Sequence, residues 1–279
     1  MDYTITSLTT MKEAEGVVEV QRQAWQMADI GILPTFETKA VSDAGFVFVA
    51  KKGDVVIGFI YGYHHFPDVH YSHMMAVLPD YQGTGVGYEL KKYHRKQALQ
   101  SRHHVRLVQW TVDPLLPNNA YLNFAKLGGF CDTYKTDYYG DPERDGVEIY
   151  AGVATDRFKL SWPIHSNRVQ RRMDDYRQDR VDYATLMDRA PVINSIEEGR
   201  YQGGTTAPSE NFSVEMPADY QGLRRNHLEL ARDWRVRFRE ICTGAIKTGF
   251  VVSDYHHVKA PDSTLRNYYE FTHKDQFDV

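Results

Sequence analysis

At 279 residues, with 42% hydrophobic and 25% charged residues, the chain has the composition of a globular protein with one large or two modest domains. Its formal net charge of −4 argues against a protein that coats nucleic acid, because that function needs a strongly basic face. No stretch approaches the roughly 20 apolar residues of a membrane span. We therefore expect neither a nucleic-acid partner nor a membrane partner.

The cysteines indicate the redox setting. Cys131 and Cys242 are the only two, lie far apart in the sequence and form no C-x-x-C pair. Neither a disulfide framework nor a cysteine zinc site is therefore predicted, and we expect no metal. The N-terminal residues lack the basic-then-apolar order of a signal peptide. Together these features predict a cytoplasmic protein.

The first part of the chain alternates between strand and helix signals. A short alternating stretch followed by Thr10 and Glu13, a capping-box pair, predicts a strand and then a helix. Residues 35–44 are compatible with a second short helix. The β-branched and aromatic runs at 46–50 and 55–63, separated by K-K-G-D, predict a β-hairpin.

The stretch from His70 to Gly87 has the sequence H-Y-S-H-M-M-A-V-L-P-D-Y-Q-G-T-G-V-G. It predicts a strand at 69–78, a glycine-rich loop and a helix at 84–101. Glycines let the backbone approach a bulky ligand, and the first N–H groups of a helix are unpaired, so such a loop can bind a phosphate. A purely structural turn is the alternative. The spacing is neither that of a P-loop nor the Rossmann G-x-G-x-x-G.

The strand, the Q-x-x-G-x-G loop that begins at Gln82 and the following helix resemble the GNAT superfamily of acyl-CoA-dependent N-acyltransferases, whose signature is R/Q-x-x-G-x-G/A in this setting. A further strand, helix and strand, predicted at 105–112, 120–127 and 130–139, extend the resemblance to roughly residue 155. It implies an α/β fold, of the α+β kind, with a mixed central sheet.

Three further stretches of sequence indicate a subgroup within the family. The stretch from Trp110 to Gly128, the Y-Y-G at Tyr138 and the D-R-F at Asp156 look like a longer-chain GNAT subgroup. Some relatives in that subgroup are associated with N-succinylamino-acid racemases and are thought to acylate amino acids. An amino acid or a related metabolite is therefore the expected acceptor.

We divide the chain into a GNAT acyltransferase domain at 1–158, a polar connecting segment at 159–211 and a C-terminal α/β extension at 212–279. The extension has a β-α-β-β pattern, with strands predicted at 212–216, 250–256 and 267–272. One helix and three strands form a thin core for independent folding. We therefore expect the extension to pack on the GNAT sheet or to continue it.

The resemblance implies a coenzyme site, with acetyl-CoA or another acyl-CoA such as succinyl-CoA as co-substrate. The strand would splay from its neighbour and offer the peptide groups of Met75, Ala76 and Val77 to the pantetheine arm. Gln82 would cap the loop. The pyrophosphate would be bound by the backbone amides of Gly83, Thr84, Gly85, Val86 and Gly87. The next helix carries four basic residues, Lys91, Lys92, Arg95 and Lys96. By default they form a solvated face; the alternative is that one of them binds the 3′-phosphate of coenzyme A.

The helix predicted at 120–127 concerns both the coenzyme channel and the proton donor. Asn119 and Asn123 flank the pantetheine channel in the family layout, where Asn119 either caps the helix or bonds to the coenzyme. A tyrosine of this helix often protonates the departing thiolate in the family, but here Phe124 occupies that position. Either a tyrosine of the following strand serves instead, namely Tyr134, Tyr138 or Tyr139, or the thiolate leaves unaided.

A general base must also remove a proton from the acceptor ammonium. His70 and His73 lie on the strand that lines the cleft, and strand alternation places them on opposite faces. His73 is our prediction because it is nearer the splayed segment; a histidine satisfied by core hydrogen bonds is the alternative for each. The adjacent pairs His64-His65, His103-His104 and His256-His257 lack metal-site spacing and are expected to be surface residues.

The sequence therefore predicts an N-acyltransferase that moves an acetyl or succinyl group from coenzyme A to the amine of a small molecule such as an amino acid. Direct transfer is expected, without a covalent enzyme intermediate. A non-catalytic acyl-CoA sensor or interaction protein is the alternative, motivated by Phe124 and by the long extension. Proteins of this family commonly dimerise, so a homodimer is compatible with the resemblance.

Overall fold

The computed structural model describes residues 2–25, 31–65, 67–140 and 152–279. These residues form two compact units, the first made of described residues up to 110 and the second of 111–140 with 152–279. Each unit combines helices with a sheet, which confirms the predicted α/β class. Within the described ranges, no helix is both long enough and apolar enough to cross a membrane.

The first unit contains a sheet with the strand order β1-β2-β3-β4-β5. Strands β1 to β4 are antiparallel to their neighbours, and β5 runs parallel to β4. In chain order its elements are β1 (Thr4–Ser7), α1 (Met11–Trp25), α2 (Thr35–Ala44), β2 (Phe46–Lys52), β3 (Val55–His65), β4 (Val69–Val77), α3 (Val86–Leu99) and β5 (Leu107–Val112), the last two residues of β5 being counted with the second unit. The predicted hairpin and the first two predicted helices are confirmed.

The start of α1 follows from its capping residues. The Thr10 amide donates to Glu13 Oε2 at 3.1 Å, and the Glu13 amide donates to Thr10 Oγ1 at 3.2 Å. This reciprocal pair satisfies two of the helix's first N–H groups and confirms the predicted capping box. The helix then buries Ala14 and Val17 against Phe59 of the sheet.

The second unit contains a sheet with the strand order β7-β6-β11-β12-β10 and a separate hairpin of β8 and β9. Its elements are α4 (Pro117–Ala120) followed by a π-helical turn (Tyr121–Lys126), β6 (Phe130–Lys135), β7 (Arg157–Pro163), α5 (Asn167–Asp175), α6 (Tyr183–Arg189), β8 (Asn194–Glu197), β9 (Arg200–Gly203), β10 (Phe212–Met216), α7 (Tyr220–Asn226), α8 (Leu228–Lys247), β11 (Phe250–Lys259) and β12 (Leu265–His273).

The predicted β-α-β-β pattern of the extension is confirmed by β10, α8, β11 and β12. Val252 of β11 pairs with Cys131 of β6, so the extension continues a sheet that begins before it. The compact units are consequently not divided at residues 158 and 211. The predicted connecting segment, 159–211, itself contains most of β7, two helices and the hairpin. The division into a family domain and an extension stays a sequence prediction.

Several predicted boundaries differ from the structure by two residues or more, and three of them have a clear physical reason. Helix α3 begins at Val86 rather than at 84, because Gly83 and Gly85 adopt left-handed φ angles of 75° and 97°. The helix predicted at 120–127 begins at Pro117 and widens into a π-helical turn, where the Leu127 amide donates to the carbonyl oxygen five residues earlier. The strand predicted at 130–139 ends at Lys135, because Asp137 turns the chain with a φ of 48°.

We expect Glu13→Gln to destabilise the first unit. Burial alone would raise the pKa of Glu13, but bonds from Lys51 and from the Thr9 and Thr10 amides outweigh it and lower the pKa to about 2. Because the folded-state pKa lies below the ordinary value of 4.5, the stabilisation is complete above pH 4.5 and is lost as the pH falls towards 2. The expected loss at pH 7 is on the order of 1–3 kcal/mol.

Chemical denaturation at pH 7 and at pH 3.5 measures this difference. Glu15→Gln, on the exposed side of the same helix, is the matched control and should change stability by less than about 0.5 kcal/mol. A Glu13→Gln effect of equal size at both pH values would contradict the assignment of the stabilisation to the ionised carboxylate.

Candidate functional site

Strands β4 and β5 separate partway along their length. Their parallel register joins Val69–Tyr71 to Leu107–Gln109, three residue pairs. No further pair links these two strands in the described residues, although β4 continues to Val77 and stays paired with β3 on its other side. The second half of β4 therefore presents an edge that β5 does not cover.

Strand alternation determines which peptide groups face this edge. The Leu78 amide donates to the Ile57 carbonyl of β3 at 2.9 Å. Because peptide groups in an antiparallel pair alternate in direction, Ala76 also directs its peptide groups to β3, whereas Met75 and Val77 direct theirs to the uncovered edge. The Gln82 side-chain amide donates to the Val77 carbonyl at 3.0 Å. Gln82 thus ties the loop back to the strand.

The glycine loop leaves open space in front of helix α3. A Cβ atom added to Gly83 or Gly85 would meet nothing within 4 Å, although the left-handed φ angles at both positions favour glycine. The first intrahelical bond of α3 runs from the Glu89 amide to the Gly85 carbonyl at 3.0 Å. The amides of Val86 and Gly87 precede it in the first turn of the helix, where backbone amides lack a carbonyl four residues earlier in the helix, so they can donate to an anion.

A β-bulge in β4 accompanies the separation. The register passes from Tyr61↔Met74 to Tyr63↔Tyr71, two steps along β3 against three along β4, so one extra residue is accommodated at Ser72–His73. A bulge re-aims the side chains next to it.

His73 belongs to an aromatic cluster on one face of the sheet. Its ring centroid lies 5.8 Å from that of Tyr63 and 6.2 Å from those of Tyr61 and Tyr71. The Tyr63 hydroxyl donates to the Tyr61 hydroxyl at 3.3 Å. Burial lowers the pKa of His73, which favours the neutral imidazole at pH 7, and burial raises the pKa of Tyr61. The sequence analysis did not predict these three tyrosines as neighbours of His73. Two of them, Tyr61 and Tyr63, alternate on one strand and therefore share a face, which was a usable signal.

His70 lies on the opposite face, towards α3, in a row of histidines. His64 Nδ1 is 3.0 Å from His70 Nε2, and His70 Nδ1 is 3.2 Å from His94 Nε2. Burial, with a smaller contribution from the neighbouring histidines His64 and His103, lowers the pKa of His70 to about 4. His64 is exposed, as predicted, and begins this hydrogen-bonded row. His256 was also expected at the surface, and that prediction is wrong, because it is buried with its Nε2 atom 2.6 Å from Glu270 Oε2. No group of three or more metal-binding side chains occurs among the described residues.

Lys91 departs from the expected solvated basic face of α3. It is 2% exposed, its Nζ is 3.2 Å from Ser72 Oγ, and the same atom lies 3.6 Å from the centroid of the Trp110 ring. Burial lowers the pKa of Lys91 to about 7. The neighbouring Lys92 does follow the expectation, since it is exposed and lies 3.4 Å from Glu89.

The second unit holds the other predicted site residues. Asn123 is buried and its side-chain amide donates to the Asn119 carbonyl at 2.8 Å, within the π-helical segment. Phe124 is fully buried against Phe158 and Tyr269, so the family's tyrosine position is filled by a core side chain.

Two of the three tyrosines predicted as acids, Tyr134 and Tyr138, differ in their surroundings. Tyr134 Oη donates to Asp156 Oδ2 at 2.7 Å, and Asp156 also accepts two bonds from Arg239. Burial, with contributions from Cys242 and Asp156, raises the pKa of Tyr134 well above its ordinary value. Tyr138 is 44% exposed and lies in the turn after β6, in edge contact with Tyr139. A tightly held proton makes Tyr134 the weaker candidate for proton donation.

An uncovered strand edge followed by an open, glycine-bounded helix N-terminus can accept a ligand that carries both amide and phosphate groups. Residues 13–130 match the family described as "Acetyltransferase (GNAT) family". This match covers less than half of the 279 residues and shows that this stretch is similar to the GNAT acetyltransferases. No curated protein matches the sequence significantly.

Several solved structures resemble the chain over part of its length. The ribosomal-protein-S18-alanine N-acetyltransferase from Escherichia coli is 19% identical, with a TM-score of 0.47, 58% of this chain and 94% of that chain covered. A GNAT family acetyltransferase from Elizabethkingia anophelis with acetyl-CoA bound is 16% identical, with a TM-score of 0.43 and coverage of 58% and 98%. Ard1 from Thermoplasma volcanium is 16% identical, with a TM-score of 0.44 and coverage of 58% and 97%. At these scores we take no functional conclusion from them.

We expect Tyr134→Phe to cost stability and Tyr138→Phe to leave it unchanged. The first substitution removes a buried hydrogen bond to the Asp156 carboxylate, worth about 1–2 kcal/mol. The second removes an exposed hydroxyl, and its effect should stay within about 0.5 kcal/mol. Chemical denaturation of both variants at pH 7 measures the difference. Equal stability of the two variants would contradict a structural role for the Tyr134 hydroxyl.

Proposed function

We propose that the chain is an acyl-CoA-dependent N-acyltransferase that moves an acetyl or succinyl group to the amine of a small molecule such as an amino acid. The observation that carries this proposal is the uncovered second half of β4 leading into the glycine loop of α3. The peptide groups of Met75 and Val77 suit the amides of pantetheine, and the amides at the start of α3 suit the pyrophosphate. The match of residues 13–130 to the family supports it.

The chemistry needs a neutral amine beside the thioester. His73 is the base in this proposal, since burial lowers its pKa and leaves it able to accept a proton near pH 7. The amine nitrogen attacks the thioester carbonyl, the carbon–sulfur bond breaks, and the coenzyme leaves as a thiolate. The nitrogen releases its second proton to water as the amide forms, and the thiolate takes up a proton from water. A thiol of pKa about 8.5 is a tolerable leaving group near neutral pH.

One observation favours a second candidate function, a non-catalytic acyl-CoA sensor. The family's usual proton donor is replaced by the buried Phe124, and the Tyr134 hydroxyl is held by Asp156. A protein that only binds the coenzyme needs neither group. Turnover distinguishes the two candidates, because a sensor binds acyl-CoA without consuming it.

We also propose that the protein works in the cytoplasm, with no metal and with a homodimer as the form to test first. The support for a reducing compartment is that Cys131 and Cys242 are both buried and free.

The coenzyme site is tested by calorimetric titration with coenzyme A, acetyl-CoA and succinyl-CoA. We expect the unmodified protein to bind all three and Gly85→Glu to lose at least about tenfold in affinity, since the substitution brings bulk and negative charge to the phosphate-binding amides. Gly53→Glu in the β2–β3 turn is the matched control. Gly53 also has a left-handed φ, of 57°, and an added Cβ there would also meet open space.

Both glycine variants should lose about 1–2 kcal/mol of stability from left-handed strain, so only binding separates them. If Gly85→Glu bound coenzyme A as tightly as Gly53→Glu, the loop would be a structural turn. If the unmodified, folded protein bound none of the three, the proposed function would have to be abandoned.

The base is tested by a screen of amines, with release of the coenzyme thiol as the signal. We expect His73→Ala to lower turnover of any acceptor found by about 100-fold or more, with unchanged affinity for coenzyme A. Because burial lowers the pKa of His73 from 6.5, the rate should fall with decreasing pH only below pH 6.5. His65→Ala, at the exposed end of β3, is the control. Full activity of His73→Ala would remove His73 from the mechanism.

A further inference from the structure

Lys91 is a buried cation without a buried anion. Its Nζ contacts the hydroxyl of Ser72 and the face of the Trp110 ring, and no carboxylate among the described residues forms an ion pair with it. An ammonium group loses several kcal/mol of hydration on burial, which a hydroxyl and an aromatic face repay only in part. The histidines on the elements packed around it, His94 on α3 and His70 on β4, are both neutral near pH 7, because burial lowers their pKa values; Lys91 lowers that of His94 further.

The position of Lys91 relates this charge to the strand separation. The last parallel pair between β4 and β5 is Tyr71↔Gln109. Ser72 and Trp110 are the next residue on each strand, and Lys91 Nζ contacts both. The ammonium therefore lies where the two strands part, on the sheet face that packs against α3. In the proposed function this is where the acyl end of the coenzyme reaches the sheet.

We propose that Lys91 and the Ser72 hydroxyl form a subsite for a carboxylate at the far end of the acyl group, so that the donor is a dicarboxylic acyl-CoA of the succinyl class. This inference rests on the proposed function. An ammonium and a hydroxyl supply two donors to one carboxylate, and a charge-assisted bond in a desolvated site is stronger than a neutral one. An acetyl group would leave the cation beside a methyl group, and an amine acceptor is itself cationic and would be repelled.

Donor preference tests the subsite directly. Titration calorimetry with coenzyme A, acetyl-CoA and succinyl-CoA should show the unmodified protein binding succinyl-CoA at least about tenfold more tightly than acetyl-CoA. Lys91→Met keeps the length of the side chain and removes the charge. It should abolish the preference while leaving the affinity for coenzyme A within about twofold. Lys92→Met, one position along the same helix and exposed, should retain the full preference.

Proton uptake is a second readout that a merely structural lysine would not produce. Burial lowers the pKa of Lys91 to about 7, so most of it is neutral at pH 8, and a bound carboxylate would restore the charged form. Titration at pH 8 in buffers of different ionisation enthalpy should show uptake of a fraction of a proton with succinyl-CoA and none with acetyl-CoA. Lys91→Met should remove the uptake. His94 and His70 stay neutral at this pH.

The outcomes separate the inference from the function on which it rests. Equal affinity for acetyl-CoA and succinyl-CoA, or a preference that survives in Lys91→Met, overturns the carboxylate subsite while the coenzyme site stands. Failure of the unmodified protein to bind coenzyme A overturns the proposed function itself. If Lys91→Met does not fold, Ser72→Ala replaces it, and an undiminished preference for succinyl-CoA in that variant also overturns the subsite.

Discussion

The separation of β4 from β5 after a single short run of pairing is the constraint on which the candidate site depends. A paired strand has no peptide groups to offer a ligand, because its neighbours satisfy them. Ending the parallel register at Tyr71↔Gln109 frees one edge of β4 while β3 still holds the other. The extra residue at Ser72–His73 then places His73 in the aromatic cluster on one face, while Ser72 contacts Lys91 on the other. One irregularity in one strand thus positions both sides of the site.

The glycine loop is the second requirement, and it depends on the first. A left-handed turn at Gly83 and Gly85 delays the start of α3 and leaves its first amides facing open space. The Gln82 side chain holds the Val77 carbonyl, so the loop is fixed to the strand end that it follows. An anion at the helix start and an extended amide chain along β4 would therefore be collinear parts of one ligand. Neither feature alone would distinguish a coenzyme site from an ordinary turn.

Most of the elements could be predicted from sequence because their signals are local. The capping box and the K-K-G-D turn each concern residues within a few positions of one another. The wrong predictions occur where the local structure depends on residues that are distant in the sequence. Strand β6 ends early because Asp137 bonds to Thr155 and Asp156, and the π-helical turn after α4 has no simple sequence signal. The loop glycines were recognisable by spacing, whereas the three tyrosines around His73 required the register of β3 and β4.

Lys91 shows why a charge pattern on a helix can mislead. Four basic residues on α3 suggested one solvated face, yet one of them, Lys91, is buried. The second unit shows what a purely structural buried charge looks like. Its buried arginines Arg172 and Arg235 contact Asp254 and Asp113 at 2.5 and 2.8 Å.

Pairs of this kind hold charge in the core because each partner repays part of the other's lost hydration, and removing one partner costs about 3–5 kcal/mol. Lys91 has no such partner in the described chain. A buried lysine without an anion either gives up its proton, as the lowered pKa of Lys91 allows, or keeps it where a bound anion offsets the lost hydration. Its place where β4 and β5 separate favours the second explanation, because the parallel pairing ends there while β4 continues to Val77 with an uncovered edge.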